Sequence, residues 1–427
     1  MPDSNVRQDD GSLTSTSQAL TLFLAGDAII TRPWAHIRDP AFLKLIDQIR
    51  ASDIAIANLE TVIHEFKGDA QADSGGVYMA SPPQIAAELK WAGFHMLAHA
   101  NNHAFDYGSS GVLETIEHVE RQGILLAGSG KDLQRARAPR YIQSNGSTVA
   151  LVAVASDFVP YGKASHSRDD LPGRPGVNPL TLKRRRIIHL RLDKFISRFP
   201  RLEGLLRKTR FLKGLPTLRL NVEWGRKTAS ADRKANLASI AAAASNADIV
   251  VLSLHAHRQP GWLSTFAHEA IDQGADIVFV HGPHHVLGIE LYRGKPIFYS
   301  MGDFVLEADQ VARFPAEAYE RLGLPTDAPL AQLKSITHKL TSGLSRRRDA
   351  FEGFVTRVFI AGGKIDRIRL LPIDLQFDAT AEKRGRPVLA SSHLGERIIK
   401  SVAARSRQFG TKIRYDADSG WGEVVLE

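Results

Sequence analysis

Short apolar runs of strand length alternate with helix-patterned segments along most of this chain, and most of the runs end on polar residues of the kind that bind ligands. The run 20–25 leads into Gly26 and Asp27, 53–57 into Asn58, 94–100 into Asn101, Asn102 and His103, 248–254 into His255, and 276–280 into His281. Further runs lie at 124–127, 148–155 and 296–299, and helical patterns at 82–91, 111–121, 231–244 and 262–273. This alternation predicts an α/β fold whose sheet faces are covered. In open α/β sheets, ligands bind at the carboxyl edge of the strands, which is where these polar residues fall.

The residue types at that edge suit cations. Carboxylates hold and bridge metal ions, and neutral imidazoles and amide oxygens complete a coordination shell without adding charge. Two cations roughly 3.5–4 Å apart can activate a water and clamp the attacked group. The chain has no cysteine, which excludes disulfides and thiolate metal sites. Half of its 16 histidines read as ordinary core or surface residues: His36, His64, His118, His166, His189, His268, His338 and His393 lie away from strand ends.

The segments FLAGDAIITR, DIAIANLE, MASPPQIAAELKWAGFHMLAHANNHAFDYG, VVLSLHAHR and IDQGADIVFVHGPHHVLGIELYRGKPIFYSMGDF resemble the CapA family of poly-gamma-glutamate capsule biosynthesis proteins, within the calcineurin-like metallophosphatase superfamily. The resemblance spans about 20–307 outside a basic stretch. It implies a four-layer α/β/β/α sandwich with two divalent metal ions (Mn, Fe or Zn) at one edge. It also implies Asp27, Glu60, Asn102, His255, His281 and His284 as ligands, with Glu60 bridging. His103 would be catalytic, and Arg32 would contact an anionic substrate. Asn58, His257, His285 and Asp303 would stand behind the ligands. The spacing in HGPH favours His284 over His285 as the last ligand. Arg258 stands where related sequences often carry an acid, and the usual histidine of the first motif is absent.

Two stretches break the α/β rhythm. Residues 163–234 hold 20 Lys and Arg against 6 Asp and Glu, a net of +14, whereas the rest of the chain is net −5. Lys183 to Arg186 followed by Ile187, Ile188, Leu190, Leu192, Phe195, Ile196 and Phe199 predict a basic amphipathic helix. That helix could be a solvated lid, a peripheral membrane contact through 183–213, or a contact with an anionic polymer. Nucleic acid is disfavoured, because Phe195, Phe199 and Phe211 look like packing residues and not a stacking platform. The stretch 308–349 reads as a helical insertion. The domain reading is therefore a disordered head at 1–19, a core at 20–307 with a basic helical insertion at 163–234, and 350–427 completing the core with a hairpin and a helix.

Apolar residues make up 43% and charged residues 24%, as in soluble globular proteins. The longest apolar run, 19–25, is far short of the roughly 20 residues that span a bilayer. The polar start has no signal-peptide pattern, so a cytoplasmic protein, peripheral at a membrane through its basic stretch, is expected. The resemblance implies three candidate functions: a two-metal hydrolase or transferase acting in synthesis, release or trimming of poly-gamma-glutamate or a related anionic polymer, a phosphoesterase acting on a small phosphate-containing substrate, and a non-catalytic polymer-binding component of a capsule synthesis or export complex.

Overall fold

The computed structural model describes residues 19–194, 216–257, 261–340 and 344–426. Two sheets form its centre. In the first, Leu20–Ile29 runs parallel to Ile54–Leu59, which is followed by Met96–Ala98 and Leu125–Ala127. On its other side Leu20–Ile29 pairs antiparallel with Glu352–Ala361, and Lys364–Asp374, Trp421–Val424 and Ile413–Asp416 continue outward. The second sheet has the order Ile289–Tyr292, Lys295–Phe298, Ile277–His281, Ile249–His255, Ser147–Ala155, Arg140–Ser144.

Strand residues alternate between two faces, and three apolar cores follow from that period. Leu22, Leu24, Ile56 and Met96 of the first sheet meet Leu151, Val251, Ile277 and Phe279 of the second. Phe23, Ala55 and Leu97 point the other way, onto the helices Pro40–Arg50 and Gln84–Ala92 and, through Val119, Gly108–Arg121. Val152, Val250, Leu252 and Val278 pack on the helices Ser230–Ala244 and Trp262–Asp272. The layers are therefore helix, sheet, sheet, helix, the expected four-layer sandwich.

The helix Pro40–Arg50 is absent from the periodicity reading, although its start is written in the sequence. The Asp39 side chain accepts hydrogen bonds from the N–H groups of Ala41 and Phe42, and Pro40 occupies the first turn, where its missing N–H costs nothing. In the 308–349 stretch, Pro315 and Pro329 immediately precede the helices Ala316–Arg321 and Leu330–Leu340, so these prolines begin helices as well as interrupt the chain.

The basic stretch differs from the expected helix. Leu182–Lys194 pairs antiparallel with Pro216–Thr228 in a two-stranded ribbon, with Ile188 opposite Val222, Leu190 opposite Leu220 and Leu192 opposite Leu218. The period of two in Ile188, Leu190 and Leu192 outweighs the helical reading once the second strand supplies matching apolar positions. Phe195, Ile196, Phe199 and the cations Arg207, Lys208 and Lys213 lie outside the described residues. Among the described residues, no helix is long and apolar enough to cross a membrane.

Among the described residues the ribbon strands pair only with each other, and the Ala229 N–H donates to the Thr181 carbonyl at 2.7 Å across the ribbon's base. Replacing 182–228 with a short Gly/Ser turn should thus preserve both large sheets, because closure entropy changes slowly with loop length. A thermal melt within a few degrees of the full chain is expected. Insoluble or non-cooperatively melting protein would show that the ribbon supports the core.

Candidate metal centre

The two sheets bring complementary chemistry to one edge. The first sheet contributes carboxylates and amides: Asp27, Asn58, Glu60, Asn102 and Asp303. The second contributes the imidazoles of His255, His257, His281 and His284. Asp27 and Asp303 are register partners on neighbouring parallel strands, beside an irregularity that follows Asp27. Glycine permits this approach, because a Cβ on Gly26 would lie 2.0 Å from the Gly302 carbonyl oxygen.

Asp27 is buried and held from several sides. Its Oδ1 accepts from Asn58 Nδ2 at 2.6 Å and its Oδ2 from the Gly282 N–H at 2.8 Å. The Nδ1 atoms of His281 and His284 lie 3.3 and 3.8 Å from its oxygens. Burial alone would raise its pKa, but the two imidazoles, the Asn58 amide and the Gly282 N–H outweigh burial and hold it below the usual value. Asn58 is itself oriented by Asn101, whose Nδ2 donates to Asn58 Oδ1 at 3.2 Å.

Glu60 is placed very differently. It is fully buried, and neither of its oxygens has a hydrogen-bond partner. Burial first, and then the Asp27 and Asp303 carboxylates, push its pKa well up. His255 Nε2 lies 3.7 Å from Glu60 Oε1 and has no hydrogen-bond partner either. Burial and the surrounding imidazoles hold His255 well below its ordinary pKa, so it is neutral. Its Nδ1 faces His281 Nδ1 at 2.9 Å, while His281 Nε2 is held by Ser253 Oγ at 2.6 Å. Burial pulls His281 down to about 4.

Asn102 donates from Nδ2 to the Gly75 carbonyl at 3.0 Å, which leaves its Oδ1 buried and without a partner. Asp303 accepts or shares a proton with His284 Nδ1 at 2.7 Å, and its Oδ2 has no partner. Burial lifts Asp303 to about 6 against the opposing effect of His284. His284 sits at a φ of 56°, a conformation that non-glycine residues rarely adopt and that clusters at functional sites.

Ligand-type atoms thus gather in three overlapping groups: Asp27, His255 and His281; Glu60, His255 and His257; and Asp27, His284 and Asp303. His257 and Asp303, expected only to support the ligands, lie among them. His285 turns away, with its Nδ1 2.7 Å from the Pro283 carbonyl oxygen. The residues fit divalent cations, because the buried acceptor atoms lacking donors are the type a cation satisfies.

His103 lies beside this cluster and lines a cleft of about 890 Å³ together with Asn102, His257 and His284. Its Nδ1 is 2.8 Å from Asp106 Oδ2. Asp106 also accepts the N–H groups of Gly75 and Met79. An acceptor on that side fixes the proton on Nδ1 and leaves Nε2 for the cleft. The sequence reading did not single out Asp106, though it lies three residues after His103.

Arg32 is placed otherwise than expected. Its Nε and Nη2 donate to Glu307 Oε1 at 3.1 and 2.9 Å, Nη2 also to the Arg384 carbonyl, and Nη1 to the carbonyls of Ala381 and Glu382. All five of its donors are engaged within the protein. Arg32 therefore clamps the first motif to the 381–384 loop and has no donor left for a substrate anion.

This geometry defines an α/β/β/α sandwich with a cluster of buried ligand-type atoms at one edge that could hold a metal ion. The chain belongs to the family described as bacterial capsule synthesis protein PGA_cap, whose profile matches residues 21–308. It is 29% identical to an uncharacterized protein of Sinorhizobium fredii over 94% of this chain and 92% of that one. It is 30% identical to a probable polyglutamine synthesis accessory protein of Mycobacterium tuberculosis, over 60% of this chain and 56% of the other. It is 24% identical to the capsule biosynthesis protein CapA of Bacillus anthracis, over 68% and 61%. Among solved structures, a novel phosphatase from Mycoplasma pneumoniae aligns with a TM-score of 0.39 at 12% identity, over 85% of this chain and 97% of that one.

A cation that binds only the folded state stabilises it by mass action, by about 2.7 kcal/mol at a hundredfold excess over Kd. Added Mn²⁺ or Zn²⁺ should therefore raise the melting temperature of chelator-treated protein by several degrees. Glu60→Ala should lose most of that rise. An equal rise in the variant would remove Glu60 from the ligand set.

Proposed function

We propose that this protein is a two-metal hydrolase or transferase of the CapA type that works in the synthesis, release or trimming of poly-gamma-glutamate or a related anionic polymer. The observation that carries the reading is the set of unsatisfied buried acceptors, Glu60 Oε1 and Oε2, His255 Nε2, Asn102 Oδ1 and Asp303 Oδ2, beside a cleft lined by Asn102, His103, His257 and His284. Family membership supports the polymer as the biological context.

In this reading Asp27, His281, His284 and Asp303 hold one side of the centre, and Asn102, His255 and His257 the other, with Glu60 between them. Cations bound there would supply Lewis acidity toward the attacked group. The chain's own contribution to proton transfer is His103. Asp106 aligns the ring, so that Nε2 can give a proton to the leaving group or take one from the nucleophile. The Gly75–Gly76 turn keeps that nitrogen accessible: a Cβ on Gly76 would sit 3.7 Å from His103 Nε2. The basic stretch, at net +14, would hold the polymer by exposed charge, a contact that salt screens.

Protein purified without chelator should carry close to two divalent ions per chain. His103→Ala should keep those ions and lower turnover by roughly 10²–10⁴, the usual size of a general acid–base contribution. Asp106→Asn should lower turnover in the same direction and shift the pH profile, because Nδ1 loses its carboxylate partner. Loss of metal from His103→Ala would make it a ligand instead. Retained metal with no activity on any phosphate ester or gamma-linked peptide would favour a binding role. The chain lacking 182–228 should bind poly-gamma-glutamate more weakly at low salt, and unchanged binding would reduce the ribbon's charge to a solvated surface.

A further inference from the structure

The cleft above the metal centre has walls of a different character from its floor. Val77, Met79, Leu306, Phe314, Leu344 and Phe351 present apolar surface to it, while Asn102, His103, His257 and His284 form the polar end. The charged residues on the remaining lining are Lys334, Arg384 and Asp309. Arg384 is turned inward: its guanidinium lies over the rings of Phe351 and Phe377 at 4.3 and 4.6 Å and donates to the carbonyls of Ser345 and Phe377. A channel for a bare polyanion would carry a row of available cations, as sites that track charged backbones do. Among the described residues, this lining does not. Its volume, about 890 Å³, suits a ligand far larger than a phosphate or carboxylate head alone.

The roof comes from one segment. Phe314, Leu344 and Phe351 follow the last residue matched by the family profile, position 308. Arg321 ties this segment to the loop beside His103, donating to the Gly76 carbonyl at 3.1 Å and pairing with Asp73 at 3.2 Å. About half of the apolar lining thus comes from residues outside the matched region, and the segment that carries Phe314 is fixed against the loop that borders His103.

We infer that the substrate is amphipathic: an anionic reacting group, held at the His and Asn floor, carried on an apolar moiety that fills the cleft between the 75–79 loop and the 309–351 roof. This inference rests on the metal-centre reading for its polar end and narrows the substrate of that same site from a bare anionic polymer to an anionic group joined to an apolar carrier. The apolar portion supplies binding through the area it removes from water, and the reacting group is positioned as a consequence.

The test is binding, not turnover. Calorimetric titration of the full chain, loaded with Mn²⁺, uses n-alkylphosphonates from methyl to octyl, which cannot be hydrolysed. Affinity should rise about two- to fourfold per added methylene over the first several carbons, as expected for burial of each CH₂. In Phe314→Ser and in Leu344→Ser, methylphosphonate affinity should persist and the dependence on chain length should flatten. A flat series in the parent protein overturns the inference. So does a series that is equally steep in both variants, since the chains would then bind elsewhere. Repeating the series on metal-stripped protein separates the two claims. If all affinities fall together and the slope remains, both the centre and the cleft are supported. If metal removal changes nothing and the slope remains, the metal reading fails while the apolar site stands.

Discussion

Glu60 is a carboxyl group sealed in the protein, with neither oxygen meeting a donor. Burying an uncompensated charge costs several kcal/mol even after relaxation, and a protonated carboxyl would still need an acceptor for its O–H. Its raised pKa favours the protonated form, for which the Asp27 carboxylate is the neighbouring acceptor. Asn102 Oδ1, Asp303 Oδ2 and His255 Nε2 are also buried without partners. Cations bound at this edge would give these atoms partners. The arrangement exists because two sheets pack face to face: one edge supplies oxygens, the other supplies imidazoles, and the core of Leu24, Ile56, Val251 and Phe279 beneath them fixes their separation. Gly26 lets the two aspartate strands approach, Gly302 lets Glu352 and Gly353 pack close, and Gly282 leaves room beside the His255 ring.

The candidate site was legible in the sequence because strand ends are local features. Asp27, Glu60, Asn102, His255, His281 and His284 each follow an apolar run, and the runs could be read without knowing the strand order. The remaining features are long-range. Arg32 looked like a substrate contact because nothing near it in sequence foretells the 381–384 loop, whose carbonyls engage it from about 350 residues away. The basic ribbon was read as a helix because Ile188, Leu190 and Leu192 find their partners only in Leu218, Leu220 and Val222, about 30 residues on. A local window sees one strand of such a pair and lacks the register that decides between the two periods. Asp106 was within reach, but its role depends on the turn that carries it back beneath the His103 ring.

The part of the chain that would set specificity is the least patterned. The 308–349 stretch shows mixed polarity and three prolines, which fits a surface connection. It nonetheless places Phe314 and Leu344 over the cleft and Arg321, at the end of the helix Ala316–Arg321, on the Gly76 carbonyl. Binding residues carried on irregular segments beside a rigid framework are a common arrangement, and this segment supplies part of the cleft's apolar wall.

The central claim is that these buried acceptors hold cations, and anomalous scattering tests it most directly. A crystal grown with Mn²⁺ and measured on both sides of the manganese edge should show two strong anomalous peaks at this sheet edge. Each peak should lie roughly 2.0–2.3 Å from oxygen or imidazole donors, with Glu60 reaching both. Well-ordered side chains at the same edge without an anomalous peak, or peaks only at surface carboxylates, would contradict it.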